Sequence, residues 1–209
     1  MEDKKITEQE SLDIITQMIA RTRHRLCLGD GNIMLLWGYL TVGVALLVTA
    51  LLVITRHPAV NWLWFLIMIV GGTVTPHLAK KKAVNAGAKT HLDAITSGIW
   101  STVGYLSLLC IAFCLVFMLA CGKDCWSIMF MLPLLIVGIA ETIQGIVIKE
   151  RSLVVGGAIG MTASILTICC IASATPLNIT WYMPMFMVAF TSMMIVPGHI
   201  INHKARRQQ

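Results

Sequence analysis

The sequence predicts an all-α fold, a polytopic transmembrane helical bundle of six spans, from three observations. Hydrophobic residues make up 57% of the 209 residues and charged residues only 12%, whereas a soluble domain carries about 25% charged residues. Six apolar runs reach or approach the ~20 residues needed to cross the hydrocarbon core of a bilayer. Basic residues lie at the ends of these runs instead of forming one patch, which argues against a nucleic-acid partner.

The apolar runs divide the chain into three parts. A transmembrane domain covers residues 33–201, preceded by a hydrophilic segment, 1–32, and followed by a basic tail, 202–209. The second run is the least apolar because it ends in Thr73, Thr75, Pro76 and His77. The predicted spans are about 33–54, 59–79, 98–120, 126–148, 153–174 and 181–201.

The distribution of basic residues predicts the orientation. All but two of the 16 Lys and Arg residues lie on one side of the six-span map, the exceptions being Arg56 and Lys123. Because Lys and Arg are retained on the cytoplasmic side of short loops, both termini are expected in the cytoplasm. The tryptophans fall near span ends, as expected of interfacial aromatic belts. We therefore expect a multi-pass protein of a cell inner (plasma) membrane.

The amino-terminal segment is predicted to form an amphipathic helix on the cytoplasmic side. Thr7 and Glu10 have the spacing of a capping box, which marks a helix start, and the apolar residues that follow share one helical face. Three arginines precede the first span and are expected at the membrane surface: Arg21, Arg23 and Arg25. Periodicity leaves two interpretations open, a helix lying on the membrane or a helix docked onto a partner or onto the bundle.

The spans also suggest three tandem helical hairpins. The residues WGYL at 37–40 resemble VGYL at 103–106, and Gly160 holds the corresponding place in the fifth span. Repeats in one orientation would place equivalent residues around a threefold-like axis normal to the membrane. The identities are few, so a chance likeness of apolar segments is the alternative.

Glu141 is the residue most suggestive of chemistry, because carboxyl groups are rare inside spans and usually face the bundle interior. Gln144 adds a second polar group one turn away. Together with His77 and His199, these residues form the candidate proton or cation site. The alternative is that Glu141 is a structural group, hydrogen-bonded across a helix interface.

The two histidines join this candidate site only if the hairpins are equivalent. His77 and His199 would then lie at matching inner ends of the second and sixth spans, near the depth of Glu141. Two histidines and a carboxylate suit a transition metal or a proton path, but boundary histidines are more often simply solvated, and no metal site is predicted. Pro76 and Pro197 precede the histidines closely, which predicts kinks or unwinding there.

Small residues and cysteines give two further expectations. Four glycines have spacings that permit close helix packing: Gly138, Gly145, Gly156 and Gly160. Cys121 and Cys125 share the second outer loop, where a small-loop disulfide is feasible in an oxidising compartment.

The opening of the chain resembles a known group of proteins. Residues 10–26, ESLDIITQMIARTRHRL, and residues 35–40, LLWGYL, resemble a family of small bacterial polytopic inner-membrane proteins with no assigned activity. The resemblance covers about the first 40 residues. It implies a bacterial inner-membrane protein and transfers no functional residues.

Known enzyme signatures do not occur in the sequence, which has no His-Glu-x-x-His, no Gly-x-Ser-x-Gly and no phosphate-binding Gly-rich loop. We therefore expect neither an enzyme nor a cofactor. The leading hypothesis is a non-enzymatic membrane module that associates with itself or binds a cytoplasmic or membrane partner. The competing hypothesis is a small proton- or cation-coupled transporter or channel that uses Glu141. Water reaches Glu141 in the second hypothesis, whereas a neighbouring helix packs over it in the first.

Overall fold

The structure is a bundle of membrane-spanning helices. The computed structural model describes residues 7, 9–10, 12–14, 16, 30–86, 91–122 and 125–207, without the side chains of residues 30, 81–86 and 91. Within these ranges every regular element is a helix, and six helices are long and apolar enough to cross a membrane. The predicted all-α six-span bundle is confirmed, and the chain is a multi-pass membrane protein.

The described ranges contain seven α-helices between residues 30 and 207, and together they build the six spans. They are α1 (Asp30–Thr55), α2 (Phe65–Ala86), α3 (His91–Cys121), α4 (Ile128–Ile148), α5 (Arg151–Ala172), α6 (Ile179–Phe190) and α7 (Val196–Arg207). A 3₁₀ helix, Pro58–Trp64, opens the second span. A π-helical segment, Thr191–Ile195, joins α6 to α7, so that these elements form one sixth span.

The second span is more regular than its sequence suggests. Its 3₁₀ turn begins at Pro58, where the missing N–H of proline is not needed, and the His57 ring accepts a hydrogen bond from the N–H of Ala59. The helix α2 then continues through Pro76 to Ala86. Of the kink or unwinding expected at Pro76, the unwinding is therefore wrong, since neighbouring groups can offset the one hydrogen bond that a proline removes inside a span, and the kink stays a prediction.

Two other helix ends differ from the predicted ones. The third span begins at His91 rather than near Gly98, and an acidic residue, Asp93, suits its first turn because the amino end of a helix attracts negative charge. In the sixth span the irregularity lies in the π-helical segment, before Pro197, while Pro197 itself lies inside the first turn of α7.

At the amino terminus, the predicted capping box is present. The Thr7 N–H and hydroxyl donate to Glu10 Oε2 across 3.0 and 3.1 Å, and the Glu10 N–H donates back to the Thr7 hydroxyl across 3.3 Å. The residues described from 9 to 16 are helical. The three arginines predicted at the membrane surface, Arg21, Arg23 and Arg25, lie outside the described residues.

The fourth and fifth spans form the closest helix pair. A Cβ added to Gly138 would lie 2.9 Å from the carbonyl oxygen of Gly157, and one added to Gly145 would lie 2.9 Å from the backbone nitrogen of Val154. Gly157 in turn faces Thr142 and the Gly138 carbonyl. Only glycine lets two helix backbones approach this closely.

The sixth span lies between the fifth span and the first. A Cβ on Gly156 would lie 2.7 Å from the Ser192 carbonyl oxygen, and Gly160 faces the Met193 side chain. On the other side, Gly38 of α1 faces Met194 and Ile195. The π-helical segment is thus held between glycines of two neighbouring spans.

The second and third spans lie at the edges of the bundle. Only 6% of the most apolar part of each is buried inside the protein, against 28–44% for the other four spans. The second span packs on α1, where Gly71 faces the Trp37 ring, while the third packs chiefly on α4. Burial is therefore unequal among the three hairpins. The first, fourth, fifth and sixth spans form the core of the bundle.

Candidate functional site

A large cleft separates the second and third spans. Its volume is about 1640 Å³, well above the roughly 300–1,000 Å³ of pockets for drug-sized ligands. Residues of the first, fourth and sixth spans form its back wall. We call this space the lateral cleft. It is lined by Pro58, Asn61 and Trp126 at one end, Val103, Val137 and Phe190 in the middle, and Lys80, Asp93 and Ser97 at the other end.

Tryptophan rings dominate the lining of the lateral cleft, which includes five of the six tryptophans: Trp37, Trp62, Trp64, Trp100 and Trp126. The Trp37 indole N–H donates to the Thr75 hydroxyl across 2.9 Å, and the Trp100 indole N–H donates to Gln144 Oε1 across 2.8 Å. The first bond ties the second span to α1, and the other ties the third span to α4. The sequence analysis assigned the tryptophans to interfacial aromatic belts. That assignment does not account for these hydrogen bonds between spans.

The end of the cleft that carries Lys80 also presents two hydroxyl groups without partners. Ser97 and Ser101 lie one turn apart on α3 and both line the cleft. The Thr102 and Ser107 hydroxyls donate to carbonyl oxygens of their own helix. Within the described part of the chain, the hydroxyls of Ser97 and Ser101 make no such bond. They are also exposed, so an occupant of the cleft can reach them.

Glu141 lies on α4 and is completely buried, with 0% exposure. Neither of its carboxyl oxygens has a hydrogen-bond partner, and Gln144 Nε2 is also unpaired. Gln144 lies about one helical turn from Glu141 on α4. Its Oε1 accepts the hydrogen bond from Trp100, which lines the cleft. Glu141 itself does not line the lateral cleft. An unpaired buried polar group costs about 1–3 kcal/mol.

The lateral cleft and the buried carboxyl group are the two features from which function can be argued. No protein-family model, curated protein or solved structure matches this chain. Function is therefore inferred from the geometry and chemistry of the lateral cleft and of Glu141.

The two predicted histidines are placed apart from Glu141. His77 Nδ1 lies 2.8 Å from the Thr73 carbonyl oxygen of its own helix, and His199 Nε2 lies 2.7 Å from the Tyr39 hydroxyl on α1. Both histidines are exposed. In the described ranges, no three His, Cys, Asp or Glu residues form a group that could hold a metal ion. Of the four residues in the candidate ion site, only Glu141 and Gln144 are neighbours.

The two outer-loop cysteines are free thiols in the structure. Cys121 is exposed and Cys125 is half-buried. The residues between them include 123 and 124, which lie outside the described residues, so the disulfide stays a prediction. The four glycines predicted to mediate packing all lie in the interfaces of the fourth, fifth and sixth spans described above.

One ion pair at the basic end of the bundle was missed by sequence reasoning. Lys204 Nζ of α7 lies 2.7 Å from Glu150 Oε2, and Glu150 caps α5 by accepting hydrogen bonds from Ser152. Partial burial alone would raise the pKa of Glu150, but the Lys204 and Ser152 hydrogen bonds and the Lys204 charge together hold it below its ordinary value. The only sequence signal was an acidic residue directly before a helix.

Proposed function

We propose that this chain is a non-enzymatic membrane module that binds a membrane lipid in the lateral cleft. The observation that carries this proposal is the cleft itself, an apolar, tryptophan-lined space of about 1640 Å³ between two spans that are scarcely buried in the protein. Polar residues lie at its ends and apolar residues in its middle, which is the polarity profile of the bilayer.

The size of the cleft argues that it has an occupant. The cleft is open and not sealed, so either water or bilayer hydrocarbon must fill its volume of about 1640 Å³. Apolar walls favour hydrocarbon over water, and the bilayer supplies hydrocarbon to any cleft that opens between two spans.

A lipid fits the space better than a transmembrane helix does. Acyl chains are flexible and can follow walls that alternate between large rings and small side chains. The lipid is therefore the occupant that we propose, and a second copy of the chain is the alternative that an experiment must distinguish.

Brominated lipids test the proposal, because bromine on an acyl chain quenches the fluorescence of tryptophans that it contacts. The full chain with Trp181→Phe retains only the tryptophans that line the cleft. We expect phosphatidylcholine with brominated chains to quench this protein strongly. Gly104 lines the cleft and has no atoms within 4 Å of an added Cβ, so Gly104→Phe should place a ring inside the cleft, displace acyl chains there and reduce quenching.

A matched control is Gly43→Phe, since Gly43 of α1 also has open space around it but does not line the cleft. The tryptophan fluorescence of this variant should be quenched as strongly as that of the Trp181→Phe protein. Equal quenching of all three proteins would refute lipid entry into the cleft. A covalent dimer formed by cross-linking Gly104→Cys in a background without native cysteines, together with weak quenching by lipid, would identify a second copy as the occupant instead.

We also propose that the membrane is a bacterial inner membrane and that both termini lie in the cytoplasm. The resemblance of the first 40 or so residues supports the first point. The clustering of basic residues at one end of the bundle, with Lys80, Lys149 and Arg207 among them, supports the second through the preference of Lys and Arg for cytoplasmic loops. A reporter protein that is active only in the cytoplasm should be active when it is fused to the carboxyl terminus. A reporter that is active only on the other side of the membrane should be inactive there.

A proton- or cation-coupled transporter is the second candidate, favoured by the buried and unpaired carboxyl group of Glu141. Its complete burial and its absence from the cleft lining weigh against it, because transport needs water to reach the group. The measurement is labelling of Glu141→Cys by a membrane-impermeant thiol reagent in a background without native cysteines. Labelling would favour transport; no labelling of Glu141→Cys, with the exposed Arg206→Cys labelled in parallel as the positive control, would favour the binding module.

A further inference from the structure

The Lys80 end of the lateral cleft combines a positive charge with two unpaired hydroxyl groups. Lys80 lines the cleft from α2 on one side, and Ser97 and Ser101 line it from α3 on the other. Ammonium and hydroxyl groups are the donors that phosphate oxygens accept from. No other part of the cleft lining in the described residues carries a basic side chain.

The sequence that flanks this end of the cleft is basic. Between residues 80 and 97 the sequence has Lys80, Lys81, Lys82 and Lys89 against one acidic residue, Asp93. Asp93 also lines the cleft, but it already interacts with another group of the chain. Basic pockets between spans bind the headgroups of anionic lipids.

We propose that the Lys80 end of the lateral cleft is a binding site for an anionic membrane phospholipid. Lys80 binds the phosphate group, and the Ser97 and Ser101 hydroxyls donate to phosphate or ester oxygens. The acyl chains run past Trp100 towards Val103 in the apolar middle of the cleft. This site rests on the proposed lipid-binding function and adds the headgroup class and the residues that select it.

The test compares two brominated lipids in the Trp181→Phe protein, reconstituted in nanodiscs of unlabelled phosphatidylcholine. A small fraction of either brominated phosphatidylglycerol or brominated phosphatidylcholine is added, and tryptophan quenching is compared at equal mole fraction. We expect stronger quenching by phosphatidylglycerol. Lys80→Gln should reduce this preference about fivefold, which is the effect of one basic residue near a membrane surface.

The control is Arg206→Gln, which removes an exposed charge from the same end of the bundle without touching the cleft. It should keep the preference, as should Lys80→Arg. If Lys80→Gln does not fold, Ser97→Ala with Ser101→Ala provides a second test, with Ser107→Ala as its control because that hydroxyl bonds its own helix.

The outcomes separate this inference from the proposed function. Equal quenching by the two lipids, or an equal loss of preference in Arg206→Gln, would overturn the anionic site while leaving lipid binding intact. Failure of the proposed function has a different signature, namely quenching that Gly104→Phe does not change.

Discussion

The substitution Gly157→Ala tests the helix pair at the centre of the bundle. An added Cβ at this position would meet the Thr142 hydroxyl and the Gly138 carbonyl oxygen, and would lie 2.9 Å from the Thr142 backbone nitrogen. Two of these atoms belong to the backbone, so only a shift of one helix could relieve the contact. Overpacking of this kind costs about 1–3 kcal/mol.

The matched control is Gly43→Ala on α1, because no atom lies within 4 Å of an added Cβ there. Both variants gain up to about 1 kcal/mol from the higher helix propensity of alanine. That gain cancels in the comparison, so Gly157→Ala should be less stable than Gly43→Ala by the steric cost alone, about 1–3 kcal/mol. Reversible unfolding in mixed detergent micelles measures the difference, and equal stability of the two variants would refute the close approach of the fourth and fifth spans.

Two further predictions concern carboxyl groups. Glu141→Met should stabilise the protein by about 1–3 kcal/mol, because it replaces an unpaired buried polar group by an apolar one of similar size; the same unfolding assay checks it, and a large loss of stability would mean that Glu141 has a partner. For Glu150, a pKa held below its ordinary value of 4.5 means that its contribution to stability is complete above pH 4.5 and is lost as the pH falls through the lowered value. Thermal unfolding of wild type and Glu150→Gln between pH 7 and pH 3 should therefore show a smaller acid-side loss in the variant, and identical pH profiles would contradict the role of the Lys204 pair.

The spans could be predicted from sequence because crossing a bilayer requires a long apolar helix, and hydropathy alone reveals one. Gly138, Gly145, Gly156 and Gly160 could be selected because small residues repeated along one face of a helix usually contact another helix. Sequence could not show which helix each glycine meets. Gly156 and Gly157 are neighbours in the chain, yet the first faces the sixth span and the second faces the fourth.

The lateral cleft could not be predicted, because it depends on where helices fail to meet. Ser97 lies just before the predicted third span and Ser101 near its start, and neither position suggests a binding role, while Trp37 and Trp100 look like interfacial anchors. The π-helical segment at 191–195 has no sequence signal that we recognise. Lys80 was assigned only to topology, since its position at the cleft end depends on α2 continuing through Pro76.

The sizes of the side chains on α3 explain why the cleft is open. Ser97, Ser101, Gly104 and Ser107 all line it, at spacings that put them on one face of the helix. Small residues on such a face ordinarily let another helix approach, yet Gly104 has no atom within 4 Å of an added Cβ. The hydrogen bond from Trp100 to Gln144 ties this third span to α4. An anchored helix that turns its smallest side chains towards an apolar space keeps that space wide, and this is the arrangement expected of a site that bilayer lipid fills.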